Sequence, residues 1–339
     1  MKFFIILVLC KLVLLCYAKP QGQLGFTLKE ESFNELFGYG DGSNNSAVSF
    51  RLPNDPNYIK FYLYRNPLDE DDRVEILLND VLSLYKSGYN FSSPLKLLIH
   101  GVLSDSLTTH DVQAVKLEYL RAGTPANIVL VDYGPLTVSD LPFIFSTLSF
   151  LTVLVQNDLT NIVSERTAEF VQFLLTQGAV SGPGSIHIVG FSVGANIAGA
   201  VGRSIYSRTG KKPRRISGLD PSPQFPFRPK LEPTDAEFVD VTYTSLGKMS
   251  TFSTEGHATF FINGGGPHQQ HCPNFMPFTE IYCSHTTSVY YFAKSIRKST
   301  ILGCLCRMPC LEPPDVCRLP VPYGENTPEK SRGNYYVNL

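Results

Sequence analysis

Apolar positions along this chain follow two rhythms. Short β-branched and aromatic runs alternate with longer stretches of helical spacing. Residues 58–64, Tyr-Ile-Lys-Phe-Tyr-Leu-Tyr, alternate and are rich in aromatics, which predicts a first strand. Further strands are predicted at 96–99, ending in His100-Gly101-Val102, and at 126–133, closed by Gly134-Pro135. Four more follow at 186–189, 215–219, 238–243 and 258–262. Between them, Val112, Val115 and Leu120 mark a helix over 111–122. Val163, Ala168, Val171, Leu174 and Leu175 mark an amphipathic helix over 163–176. A small-residue segment predicts a helix from Gly194 to about Tyr206, and 288–292 predicts the start of another. The apolar run 141–155 contains Pro142 and is too short to span a membrane, so it reads as loop and buried helix. Residues 19–58 are polar and glycine-rich, and are expected to be loop and leader. Strands alternating with helices imply an α/β fold with a mainly parallel central sheet and helices on both faces.

Candidate chemistry sits where the fourth strand meets its helix. Gly190-Phe191-Ser192-Val193-Gly194 is a G-x-S-x-G placed between predicted strand and predicted helix, the context that turns a common pattern into a nucleophile elbow of the α/β-hydrolase fold. A serine hydroxyl becomes a nucleophile when a histidine takes its proton and a carboxylate holds that histidine. In this topology the chain order is serine, acid, histidine. Asp220 ends a predicted strand in Gly218-Leu219-Asp220-Pro221, where open α/β sheets place their sites; a turn residue before proline is the other reading. Asp240, inside a strand, is the rival acid, with a structural role expected. His100, His110 and His187 precede the serine and fail the order. Of the four that remain, His268 and His271 lie in an unanchored loop, His257 ranks second, and His285 ranks first, because a disulfide at Cys283 would fix the loop carrying it. The amides of Val193 and Val102 are the expected oxyanion donors.

Composition narrows the setting. The 339 residues are 17% charged with net charge −1 and no large basic block, so a nucleic-acid partner is not expected. Residues 1–18 pair Lys2 with an apolar run and a small-residue cleavage site at Ala18, which reads as a signal peptide and implies secretion. Its removal would leave Cys272, Cys283, Cys304, Cys306, Cys310 and Cys317, an even number that reads as three disulfides in a secreted chain. Zinc ligation by the last four is the competing reading. Asn44 and Asn90 head glycosylation sequons in polar stretches. No internal repeat is visible, so 19–339 reads as one catalytic domain with a cysteine-rich C-terminal segment.

Together these residues resemble the animal pancreatic lipase family, catalytic domain only, a group that includes insect midgut lipases, venom-type phospholipases A1 and lipase-derived yolk proteins. The matching landmarks are Ile99-His100-Gly101, Val131-Asp132-Tyr133, Ile188 to Ala195, Ile216 to Pro221, Phe238 to Val241, Gly256-His257 with Phe261 to Gly265, and Cys283-Ser284-His285. The resemblance implies that Ser192, Asp220 and His285 form a triad. The chain departs from the family at Phe191, where histidine is frequent, at Val102, often aromatic, and at Tyr133, where tryptophan is common. None of these removes a reacting group, so an active enzyme with an altered pocket is expected. The stretch 230–235 keeps only part of a calcium-loop pattern, and neither metal nor cofactor is expected.

In this family a disulfide-closed loop before the histidine covers the site, which here would be Cys272 to Cys283. It encloses ten residues and carries Phe275, Met276, Phe278 and Ile281, which could touch a lipid surface. The stretch 245–255, matching another covering loop, is also compact. Short covers resemble those of phospholipase A1 and galactolipase members, and favour a phospholipid over a triglyceride. The chain has no room for the β-sandwich through which pancreatic lipases bind colipase, so no colipase partner is expected. Steric strain excludes a Cys304–Cys306 bridge, leaving Cys304–Cys317 with Cys306–Cys310, or Cys304–Cys310 with Cys306–Cys317. The expected function is a secreted serine carboxyl-ester hydrolase acting on lipid at a membrane or micelle surface. A non-catalytic lipid-storage protein on the same fold is the alternative, and a peptidase the third reading.

Overall fold

The computed structural model describes residues 26–28, 48–50, 55–66, 68–69, 72–102, 104–105, 111–137, 158–223, 229–250, 256–273 and 277–339. Residues 1–18, the run 141–155 and Asn44 lie outside them. Within the stretch expected to be loop, Phe26–Leu28 (β1) and Val48–Phe50 (β2) form an antiparallel pair. Three-residue strands are shorter than the alternation by which a strand announces itself.

The remaining strands are Lys60–Tyr64 (β3), Arg73–Glu75 (β4), Leu95–Ile99 (β5), Asn127–Asp132 (β6), Ile186–Phe191 (β7), Arg215–Leu219 (β8), Phe238–Tyr243 (β9), Ala258–Ile262 (β10), Leu302–Leu305 (β11), Val321–Pro322 (β12) and Gly333–Val337 (β13). Among the described residues they make one sheet, ordered β12-β11-β13-β10-β9-β8-β7-β5-β6-β3-β4. The strands from β13 across to β6 are all parallel, and the antiparallel pairs are confined to the two edges. Central strands β6 to β10 are buried at nearly every position, which is why their sequences read as continuous apolar runs.

The described helices are Val81–Lys86 (α1), Asp111–Arg121 (α2), Asp158–Thr176 (α3), Val193–Thr209 (α4) and Pro277–Arg297 (α5). On one face, Val112, Val115 and Tyr119 of α2 and Val289, Phe292 and Ala293 of α5 pack with Leu98, Leu130, Val189 and Leu219 of the sheet. Burial of each such side chain contributes about 1.5–3 kcal/mol. Helices α3 and α4 pack on each other, and α3 meets the sheet where Phe170 stacks on Phe61 at 4.0 Å. Strand β5 has β6 on one side and β7 on the other, so the direction of winding reverses there. Open α/β sheets bind ligands outside the carboxyl ends of their strands at such a point.

The C-terminal segment adds β11, β12 and β13 to the sheet edge, which the apolar pattern did not signal. Two disulfides hold it, Cys304–Cys317 and Cys306–Cys310, and this decides between the two pairings left open. The third joins Cys272 to Cys283. None of the described helices is long and apolar enough to cross a membrane.

Candidate active site

Strand β7 ends at Phe191 and α4 begins at Val193, so Ser192 alone makes the turn between them. It does so at φ 56° and ψ −122°, a conformation costly for a residue with a Cβ. Its neighbours must make room. A Cβ on Gly190 would lie 2.6 Å from the Gly194 carbonyl carbon, and one on Gly194 would lie 3.0 Å from that of Ile99. The Ser192 amide donates to the Leu219 carbonyl at 2.9 Å, which ties the turn to β8. Its side chain makes no capping hydrogen bond to α4, so the hydroxyl is not spent on the helix.

Asp220 follows β8 directly and also holds a positive φ, 43°. Its carboxylate is fully buried and heavily solvated by the protein. Oδ1 accepts from the amides of Thr244 (2.8 Å) and Ser245 (3.1 Å) and from the Ser250 hydroxyl (2.9 Å). Oδ2 accepts from His285 Nδ1 at 2.6 Å and from the Ser245 hydroxyl. With Nδ1 committed to Asp220, Nε2 is the ring nitrogen not held by the carboxylate. The His285 ring packs on Phe191, centroids 4.6 Å apart, so the residue before the serine touches the imidazole. The expectation of a loop carrying His285 is corrected here. Cys283 and His285 both lie within α5, and the helix, with the disulfide on its outer turn, holds the ring.

The other strand ends converge on the same edge. His100 follows β5, is fully buried, and stacks on Tyr133 at 4.0 Å. Its Nδ1 donates to the Gly101 carbonyl (2.6 Å), while Nε2 accepts from the Tyr133 amide (3.1 Å). Burial opposes a charge on this ring, but the hydrogen bond and charge of Asp132 and the charge of Asp111 outweigh it and raise its pKa. The amide of Tyr133 can donate only to the neutral ring, so that amide and Asp132 compete for Nε2. The Gly101 amide is taken by Asp111 (3.2 Å). The next amide, of half-buried Val102, is then the oxyanion candidate from this loop. A Cβ on Gly101 would meet Ser192 Cβ at 3.3 Å, so the loop does lie against the serine. Val193 is the first residue of α4, where helix amides have no partner within the helix.

Other candidates fall elsewhere. His257 lies just before β10, where its Nδ1 accepts from the Val239 amide (3.0 Å); burial, with Arg332 and Lys212, lowers its pKa. His268 pairs with Glu280 at 2.7 Å, and His271 approaches the Thr287 hydroxyl at 3.2 Å. His110 lies outside the described residues, as do Phe275 and Met276. Phe278 and Ile281 belong to the first turns of α5, and Ile281 is half-buried rather than exposed. Among the described residues, His271, Cys272 and Cys283 bring metal-type ligand atoms together, but both sulfurs are in the disulfide. In the stretch 230–235, both oxygens of Asp235 face the Arg203 guanidinium at 2.7–2.8 Å. Burial nevertheless pushes its pKa up to about 6.

Sequence reasoning missed the hydroxyls of Ser245 and Ser250 and the carboxamide of Asn196. Asn196, buried on α4, donates to the Ser222 carbonyl (3.2 Å) and accepts from the Leu231 amide (3.2 Å), tying the serine's helix to the segment after the acid. The available signal was positional: Thr244 and Ser245 follow the strand beside the one that ends in the acid.

The chain is similar to known proteins over most of its length. The Lipase family model matches residues 40–307. Hepatic triacylglycerol lipase of Rattus norvegicus is 30% identical over 77% of this chain and 54% of its own length. Pancreatic lipase-related protein 2 of Cavia porcellus is 30% identical over 72% and 53%. Phospholipase A1 member A of Bos taurus is 28% identical over 71% and 49%. The chain thus spans about half the length of these relatives. Among solved structures, an α/β hydrolase from a deep-sea metagenome library is 14% identical, with a TM-score of 0.31 over 57% of this chain and 73% of that one.

Proposed function

The chain belongs to the lipase family, and from that premise we propose that it is a secreted serine hydrolase of lipid carboxyl esters. Ser192 Oγ attacks the ester carbonyl while His285 Nε2 takes its proton. The Val102 and Val193 amides hold the oxyanion that forms. Collapse of the tetrahedral intermediate expels the alcohol, which leaves with the proton from His285. Water then repeats the sequence on the acyl-enzyme and frees the fatty acid. Asp220 keeps the imidazole oriented and stabilises its positive charge. One observation carries the reading: the Asp220–His285 contact of 2.6 Å at the carboxyl edge of the sheet, against the residue that precedes a strained, uncapped serine.

The compact Cys272–Cys283 closure, whose second half is already helix, leaves little chain to cover the site and favours a bulky phospholipid head group. Phospholipase A1 action is therefore the preferred specificity, with acylglycerol hydrolysis the alternative. The leader at 1–18 and three disulfides support secretion. Asn90 is exposed in a turn and is the described candidate for glycosylation. The test is product analysis on mixed phospholipid and triglyceride vesicles, with the cleaved position recorded, alongside labelling by a fluorophosphonate. Release of sn-1 fatty acid with labelling at Ser192 supports the reading. Neither labelling nor hydrolysis would leave the lipid-storage alternative.

A further inference from the structure

The loop after β9, expected only to cover the site, does something else in its first half. Residues 244–250 fold back on themselves: Lys248 N donates to the Ser245 carbonyl at 3.1 Å and Gly247 N to that of Ser250 at 2.9 Å. The Leu246 amide fastens the turn to the Gly265 carbonyl at 2.8 Å. Within this turn Ser245 and Ser250 are fully buried, and both hydroxyls point at the Asp220 carboxylate. They do not play equal parts. Ser250 shares Oδ1 with two backbone amides, whereas Ser245 binds Oδ2, the oxygen that also receives His285 Nδ1. The Ser245 hydroxyl is itself 3.5 Å from that nitrogen.

Resting on the triad reading above, we propose that Ser245 is a positioning residue for the reaction, holding Oδ2 of Asp220 on the line of the His285 Nδ1–H bond. A carboxylate can rotate about its Cβ–Cγ bond and offer either oxygen or neither. The amides on Oδ1 restrain one end of this motion, and the Ser245 hydroxyl restrains the end that matters for the imidazole. Because Oδ2 then carries two donors, its orientation depends on both. Loss of the hydroxyl leaves the fold's backbone bonds intact and lets the acceptor drift away from the histidine, so the effect falls on turnover and not on substrate binding.

The test compares Ser245→Thr with Ser245→Val, two side chains of nearly equal volume that differ in the hydroxyl. Any cost of a β-branched residue at this position is common to both. With a soluble short-chain nitrophenyl ester, kcat of the Val variant is expected to be about tenfold or more below that of the Thr variant, the worth of a hydrogen bond to a charged group. KM is expected to agree within about twofold, and the rate of fluorophosphonate labelling at Ser192 to fall with kcat. Ser250→Ala is expected to lose less than about threefold, since the two amides remain on Oδ1. Equal kcat for the Thr and Val variants, or a difference confined to KM, would overturn the proposal. Retained hydrolysis in Ser192→Ala would instead remove the triad reading beneath it, so the two failures are distinguishable.

Discussion

The two ends of the central strands carry similar buried polar groups arranged to opposite effect. At the amino ends, Lys96, His187 and Arg215 open β5, β7 and β8, and Asp240 lies beside them in β9. Lys96 donates to His187 Nδ1 (2.8 Å) and to Glu325 (2.5 Å). His187 Nε2 donates to Ser217 (2.9 Å), and Ser217 to Asp240 (2.8 Å). Arg215 reaches Asp240 and the carbonyls of Gly324 and Glu325, each at 2.7 Å. A cavity of about 430 Å³ opens beside this cluster, yet every polar atom named here already has a partner. The carboxyl ends differ. There Ser192 and Asp220 both hold positive φ, and the serine hydroxyl does not cap its helix. A closed set of partners is what a structural cluster requires, whereas backbone strain beside a hydroxyl that does not cap its helix is what the proposed reaction centre requires.

The comparison breaks most sharply at the serine. Ser192→Ala should leave expression and folding intact and lower ester hydrolysis by about 10⁵-fold, read from initial rates with the soluble ester. The loss is that large because His285 and Asp220 have no function without the nucleophile. Next comes Asp220→Asn, expected to cost about 10⁴-fold in kcat with KM little changed. Its amide nitrogen would face one of the donors that now converge on the carboxylate. A rate near that of the parent in either variant would place the chemistry elsewhere.

At the other end the same kind of substitution should act on stability and not on turnover. Asp240→Asn leaves the buried Arg215 charge facing a neutral partner. It should lower unfolding free energy by about 3–5 kcal/mol while the specific activity of the folded fraction stays unchanged. Denaturant titration with parallel rate measurement separates the two quantities. Reduced turnover without reduced stability would mean that the two ends are coupled.

How much of this could be read from the chain divides along the same line. The order of the central strands and helices was legible, because parallel strands bury both faces; Ser192, Asp220 and His285 were chosen from the motif and the chain order, and of these the structure brings Asp220 and His285 into contact. The structural role of Asp240 was legible from its position inside a strand. The partners were not. Ser245 and Ser250 reach Asp220 from a different strand end, and Glu325 reaches Lys96 from a segment 229 residues away. Periodicity carries no information on such long-range pairing. The strands β4 and β11 to β13 escaped for another reason: segments of two to five residues have too few alternations to stand out. The extent of α5 was hidden because Pro277 and Cys283 look like loop residues, although proline suits the first turn of a helix.

The smallest expected effect concerns His187, and it is a pH effect. Burial, with the charges of Lys96, Arg215 and Arg214, holds its pKa well below the ordinary histidine value of 6.5. The folded protein therefore keeps this ring neutral at pH values where the unfolded chain protonates it. Since the unfolded state then binds more protons, stability is unaffected above about pH 6.5 and falls as pH drops below it, by up to about 1.4 kcal/mol per pH unit. Glutamine can replace the ring's two hydrogen bonds, accepting from Lys96 and donating to Ser217, without a group that titrates. His187→Gln should match the parent at pH 8 and hold its melting temperature to lower pH, as followed by thermal unfolding between pH 4 and 8. Parallel curves for the two proteins over that range would mean that the ring accepts its proton in the folded state, despite the cations around it.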